Sequence, residues 1–180
     1  MKHFITIITL FFSIQHFYSQ VSLPPGTYSS VNKKAIKYYE EGKKNYETRK
    51  DVDAEKNLNK CLQEDPNFIE AHSALAYLLM EKHRTKEAID HFQKAVDINP
   101  KFFPRNFFDL GLAQLLSANY EGAQKNIETY LKFDRINPNT KEQAEQYLKN
   151  AKFGVYAMKN PQPFKLVNVG ESINTRNYLY

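Results

Sequence analysis

The sequence predicts an all-α solenoid of three helix pairs, closed by a C-terminal capping helix and followed by an extended C-terminal tail. Three observations carry that expectation. The chain is self-similar at a spacing of 34 residues, because Asp65-Pro66-Asn67-Phe68 returns as Asn99-Pro100-Lys101-Phe102. Within that spacing the apolar residues fall at helical intervals, as in Ala88, Ile89, Phe92, Ala95 and Val96. Pro66, Pro100 and Pro138 punctuate the pattern. A proline has no N–H to donate and pushes the residue before it away from helical geometry.

The first helix pair is expected over 35–68 and the second over 69–102. The 34-residue offset relates Ala54 to Ala88, Leu58 to Phe92, Cys61 to Ala95 and Leu62 to Val96. One unit further the offset becomes 35, relating Ala76 to Gly111, Ala88 to Ala123 and Phe92 to Ile127, which places the third pair at 104–138. Small residues recur in this register at Gly42, Ala54, Ala76, Ala88, Gly111 and Ala123. Large ones fall near them at Tyr38, Leu75, Phe107 and Leu110 on first helices and at Leu58, Phe92 and Ile127 on second helices. One pair cannot bury its own apolar faces, and about three stacked units are the minimum for stability.

This period, with small residues at fixed positions and Pro at the unit ends, resembles the tetratricopeptide repeat (TPR) family. The resemblance implies a TPR-type α-solenoid in which the small residues pair where helices cross, as Gly42/Ala54, Ala76/Ala88 and Gly111/Ala123. Unit one departs from the family at Glu41, where Leu is preferred. Unit three departs at its end, where Arg135 fills the expected place and Pro138 comes three residues late. Its second helix is accordingly expected to run on or to end irregularly.

A capping helix is expected over 139–160, with Thr140 and Gln143 spaced as a capping box. It would turn Ala144, Tyr147, Leu148, Ala151 and Val155 inward and Lys141, Glu142, Glu145 and Lys149 outward. The tail, 161–180, opens with an extended Pro-bounded stretch, and Lys165–Val169 reads as a short strand turned by Gly170. Here Asn160-Pro161-x-Pro163-Phe164, Asn168-Val169-Gly170, Ile173-Asn174-Thr175 and Tyr178 resemble a junction in Bacteroidota-type envelope proteins. In those, TPR units precede a propeller with WD40-like repeats and often an OmpA-like peptidoglycan-binding domain. Arg176-Asn177 stand where that pattern carries acidic residues. Two readings stay open: the start of a truncated propeller domain in a longer product, or the tail of a self-contained protein.

Residues 1–19 read as a signal peptide. Lys2 supplies the positive start, Phe4–Phe12 is apolar apart from Thr6 and Thr9, and Tyr18, Ser19 and Gln20 end the stretch. The apolar run is too short to span a bilayer. The leader implies an exported protein of the periplasm or cell envelope, without a membrane span after cleavage. Residues 20–34 form a lead-in to the repeats.

The net charge is +5 with His neutral, and the Lys residues are interspersed with Glu and Asp. That is the charge pattern of solvated helix faces, so no nucleic-acid partner is expected. The single cysteine, Cys61, has no partner for an internal disulfide, and its repeat equivalent Ala95 marks it as a small core residue. His72 and His91 fall on different predicted helices, His83 falls in a turn, and no metal-ligand spacing occurs. No Gly-rich phosphate loop is present. The chain is read as a non-enzyme with no catalytic residue, cofactor or metal.

What remains is the groove. In TPR superhelices the first helices line the concave face, which the resemblance assigns to Ile36, Tyr39, Lys43 and Tyr46 in unit one. Unit two contributes Glu70, Ser73, Tyr77 and Met80, and unit three Arg105, Phe108, Leu112 and Leu115. Aromatic and Met side chains with a few charges suit an extended or helical protein segment. The other reading packs half of these rings between helices. The carboxylate clamp of chaperone-type members is not matched, since Tyr39, Ala74 and Asp109 fill its positions. The function expected is a non-catalytic exported scaffold mediating protein–protein interaction in the cell envelope. The alternative is the N-terminal part of an OmpA/propeller-type envelope protein, an adaptor in a peptidoglycan-linked or type IX secretion-associated complex.

Overall fold

Small residues where helices cross, and a left-handed residue after each first helix, set the geometry of the chain. A computed structural model describes residues 28–162. The signal peptide, the strand at Lys165–Val169 and the tail from Pro163 onward lie outside the described residues. Within them the helices are α1 Lys33–Glu47, α2 Asp51–Glu64, α3 Ile69–Glu81, α4 Thr85–Ile98, α5 Arg105–Leu116, α6 Tyr120–Tyr130 and α7 Pro138–Lys159. They pair as α1/α2, α3/α4 and α5/α6, and α7 packs on α6 as the cap. The all-α solenoid expected from the period is the fold observed.

Each pair turns over by the same device. Arg49, His83 and Ala118, which follow the first helix of their units, have φ of 59°, 57° and 60°. The next amide reaches back across the turn in each: Lys50 N to Asn45 O, Arg84 N to Leu79 O and Asn119 N to Gln114 O, at 2.8–2.9 Å. This is the Schellman closure, usually built with glycine because a side chain is strained in the left-handed region.

The crossings admit no extra atoms. A Cβ on Gly111 would stand 2.6 Å from Ile127 Cγ1 and 3.1 Å from the Ala123 carbonyl oxygen. Ala54, Ala76, Ala88 and Ala123 are fully buried at the same kind of contact. Around them one cluster gathers Leu58, Phe68, Leu75, Leu79 and Phe92, and a second gathers Phe108, Ile127, Tyr130 and Ala144. Phe107 packs against both clusters. Each large apolar side chain buried this way contributes about 2–3 kcal/mol.

Beyond its direct neighbours, α1 also packs on α3, and α5 on α7. First helices therefore approach one another across the intervening second helix and stand on the inner side of the curve.

Two expectations need correction. α6 ends at Tyr130 and Pro138 does not stop it; Pro138 is the first residue of α7, where a missing N–H costs nothing. The cap of α7 is Asn137, whose Oδ1 accepts from Asn139 N and Thr140 N. Thr140, read as the capping-box residue, lies inside the helix, buried, with its hydroxyl accepting from Arg105.

Ala118 is exposed and holds a left-handed φ of 60°. Ala118→Gly is expected to stabilise the protein by about 0.5–1 kcal/mol, read as a higher urea midpoint at unchanged slope.

Candidate functional site: the inner face and the histidine pair

The expected groove residues lie on the first helices, and most of them hold the solenoid together. Tyr39 is only 8% exposed and packs on Tyr28 and Phe68, with ring centroids 5.4 and 5.0 Å away. Phe108 is 1% exposed, against Tyr130 and Tyr147. Ser73 donates to Asn106 Oδ1 at 3.1 Å or to its own helix. Tyr77 donates to Asp109 and meets Phe92 edge-on, while Tyr46 donates to Glu81. Arg105 pairs with Asp109 at 2.9 Å, lies over the Phe108 ring and reaches Thr140 of α7 at 3.3 Å. Burial and the Asp109 carboxylate push the Tyr77 phenol well above its usual range, so it stays a donor.

Eight of the expected residues keep partial exposure: Ile36, Lys43 and Tyr46 on α1, Tyr77 and Met80 on α3, and Arg105, Leu112 and Leu115 on α5. Of these, Tyr46, Tyr77 and Arg105 are engaged by hydrogen bonds or an ion pair within the solenoid, which leaves Met80, Leu112 and Leu115 as apolar side chains on α3 and α5.

One end of the face is covered by the chain itself. Ser29 N donates to Glu70 at 2.9 Å and the Ser29 hydroxyl also donates to Glu70. The same hydroxyl accepts from Ile69 N at 2.9 Å. It thereby caps α3, whose own cap residue Phe68 has no side-chain oxygen to offer. Tyr28 lies on Tyr39 and Phe68 and donates to Glu40. Sequence reasoning treated this lead-in as a connector. Its only local signal was a pair of serines upstream of a helix with no polar cap.

The structure also brings together two residues that their sequence spacing keeps apart. His72 of α3 and His91 of α4 meet with their Nδ1 atoms 2.9 Å apart, and His72 Nε2 is 3.0 Å from the Pro66 carbonyl oxygen. A carbonyl only accepts, so Nε2 carries the His72 proton. His72 Nδ1 is then a lone pair that accepts from His91 Nδ1–H. The pair lies at an open cavity of about 620 Å³ between units one and two, lined also by Asn59, Leu62, Lys94 and Asp97. The repeat register was the available signal: His72 stands where Tyr38 and Phe107 stand in the neighbouring units, facing a second helix.

Cys61 is fully buried, and burial pushes its thiol up to about 12, which leaves it unreactive. Among the described residues no group of three or more His, Cys, Asp or Glu side chains could hold a metal ion, and no helix is long and apolar enough to cross a membrane.

Comparison with known proteins agrees with this geometry. The family model "Tetratricopeptide repeat" matches residues 69–102, the second unit. Among solved structures, the TPR2B domain of yeast Sti1 in its pHsp70 complex is 22% identical with a TM-score of 0.59, covering 67% of this chain and 97% of that one. The first TPR of Spaghetti (RPAP3), bound to the HSP90 peptide SRMEEVD, is 20% identical with a TM-score of 0.61, covering 69% of this chain and 95% of that one. The Yersinia enterocolitica type III secretion chaperone SycD, in complex with a peptide of the translocator YopD, is 17% identical with a TM-score of 0.58, covering 66% and 92%. No curated protein matches the sequence. The molecule thus has the TPR-type solenoid fold, and its second unit matches the tetratricopeptide repeat model.

Two outcomes follow from the site chemistry. Asp109→Ala removes the acceptor of Tyr77 and the partner of Arg105 together. It is expected to cost about 2–4 kcal/mol in urea unfolding, against about 1 kcal/mol for Tyr77→Phe, which leaves the ion pair intact. Burial first, then the like charge of Lys94 on His72 and of His72 on His91, holds both imidazoles below their ordinary value of 6.5. The unfolded chain therefore binds more protons than the folded one below that pH, and stability falls as pH drops from about 6.5. His91→Gln should flatten the decline between pH 7 and 5.5 in thermal unfolding; an unchanged slope would show that the pair does not titrate with folding.

Proposed function

We propose that the protein is a non-catalytic exported scaffold whose inner helix face holds an extended or helical segment of another cell-envelope protein. The observation that carries this reading is the partial exposure of three apolar side chains, Met80 on α3 and Leu112 and Leu115 on α5, on first helices tied together by Ser73–Asn106 and Tyr77–Asp109. Side chains presented in this way take an apolar stripe of a partner segment while the polar rim sets its register. Two proteins of similar fold, the RPAP3 domain and SycD, are described with peptides bound. Export and envelope location rest on the leader at 1–19. The resemblance of 160–178 to a TPR–propeller junction favours a second reading, the adaptor end of a peptidoglycan-linked or secretion-associated complex.

Surface variants test the scaffold reading. Tyr39 and Phe108 are buried and Tyr77 donates to Asp109, so replacing them would perturb packing rather than test binding alone. Met80→Glu with Leu112→Glu places two carboxylates on α3 and α5 and leaves the lacing residues in place. Partners crosslinked to the wild type in envelope extracts are expected to fall about tenfold or more, with helicity unchanged. A folded double variant that keeps every partner would exclude this face. Terminal sequencing of the protein from its native cells tests export, with a mature N-terminus near Gln20 expected.

A further inference from the structure

We propose that the outer side of α7 is a docking surface for the segment that follows it, with Phe164 and Leu166 folding back onto Phe153 and Tyr156. Phe153, Tyr156 and Met158 are 70%, 63% and 70% exposed, and they make up three of the six large apolar side chains exposed among the described residues. All three fall in the last two turns of α7. Among the described helices α7 packs on α6 and, less extensively, on α5, and neither contact covers Phe153 or Tyr156. The helix is held against rolling them inward. Gly154 lies against the Tyr120 ring with no room for a Cβ, so the backbone is seated directly on α6. Lys152 pairs with Glu128 at 3.2 Å and Lys159 with Glu121 at 3.4 Å. The aromatic side is therefore presented outward by contacts that fix the rotation of the helix.

The chain itself supplies the occupant. The described residues end at Gln162, three residues past α7, so the next segment starts beside the patch. Its sequence repeats a pattern used twice before. Asp65-Pro66-Asn67-Phe68 follows α2 and Asn99-Pro100-Lys101-Phe102 follows α4, as Asn160-Pro161-Gln162-Pro163-Phe164 follows α7. Asp65, Asn99 and Asn160 each hold the C-cap, with φ of −144°, −152° and −127°, which turns the chain off the helix axis ahead of the proline. At the first of these ends the chain brings Phe68 back to full burial on Tyr39 of α1, with ring centroids 5.0 Å apart. Pro161 and Pro163 bar a helical continuation. In extended backbone Phe164 and Leu166 share one side at a spacing of about 6.6 Å. Phe153 and Tyr156 are about 4.5 Å apart along the helix axis, within reach of that pair. Residues 160–163 have the length of a tight turn. Covering two exposed rings with a third ring and a leucine removes apolar surface from water, which drives the docking.

The test uses the full chain. Trypsin cleavage between Lys165 and Leu166 reads the population of undocked tail. Phe153→Ser with Tyr156→Ser should speed that cleavage about tenfold or more. Helicity by circular dichroism should not change, because both side chains are exposed. In a second arm p-benzoylphenylalanine replaces Tyr156. Irradiation is expected to join position 156 to residues 163–169 of the same chain, read by mass spectrometry of the monomer band, and Phe164→Ser should abolish that product. Equal cleavage rates in wild type and the double variant would show an undocked tail. An in-chain product unchanged by Phe164→Ser would reflect the tether alone, and a product joining two chains would assign the face to a second copy. Any of these three results overturns the proposal.

Discussion

The close crossing of the two helices in each unit is the constraint on which everything else depends. At Gly111 there is no room for a methyl group against Ile127 and the Ala123 carbonyl, and at Gly42 the Leu58 side chain already stands 3.0 Å from where a Cβ would be. Once the helices are that close, the turn joining them must be tight, which forces Arg49, His83 and Ala118 into left-handed geometry. The 34-to-35-residue recurrence of these positions is thus one geometric demand repeated three times. Stacking the units then follows from the apolar faces that no single pair can cover.

Stacking alone would leave the first helices free to hinge, and polar side chains prevent that. Tyr46 to Glu81, Ser73 to Asn106 and Tyr77 to Asp109 each join one first helix to the next, and Arg105 to Thr140 joins the last of them to the capping helix. On the outer side, Arg84 bridges Glu55 of unit one and Glu87 of its own unit. The inner bonds are well shielded, because Asp109, Ser73 and Asn106 are buried, so they weigh more than exposed ion pairs of the same length. Side chains that sequence alone presents as ligand-facing are, for this reason, the ones that set the curvature.

Sequence periodicity made the architecture legible because a period reports which face of a helix is apolar. It does not report what that face meets. Tyr39 and Phe108 were placed on the correct helices, yet burial by Tyr28 and by Tyr147 depends on segments outside their own repeat. The same gap hid the contact of His72 with His91 and the capping of α3 by Ser29, a hydroxyl 40 residues away. The start of α7 failed for a local reason. Proline reads as a stop after a helix and as a good first residue of one, and only the Asn137 cap with α6 ending at Tyr130 decides between them.

The seam between α3 and α5 is where rigidity and accessibility coincide. In a linear stack the central unit is held from both sides, whereas each end is held from one. Ser73 and Tyr77 lock α3 to α5 through their buried sides, while Met80 and Leu112 remain partly exposed on the same two helices. A segment bound there meets a surface whose spacing is already fixed, so little ordering cost is added on the scaffold's side. At the α1 end the opposite holds. Tyr28 and Ser29 already fill the corner over Tyr39 and Glu70, held by hydrogen bonds to Glu40, Glu70 and Ile69 N and by ring contacts with Tyr39 and Phe68. The inner face is therefore graded along its length, open on the α3–α5 seam and closed at the lead-in.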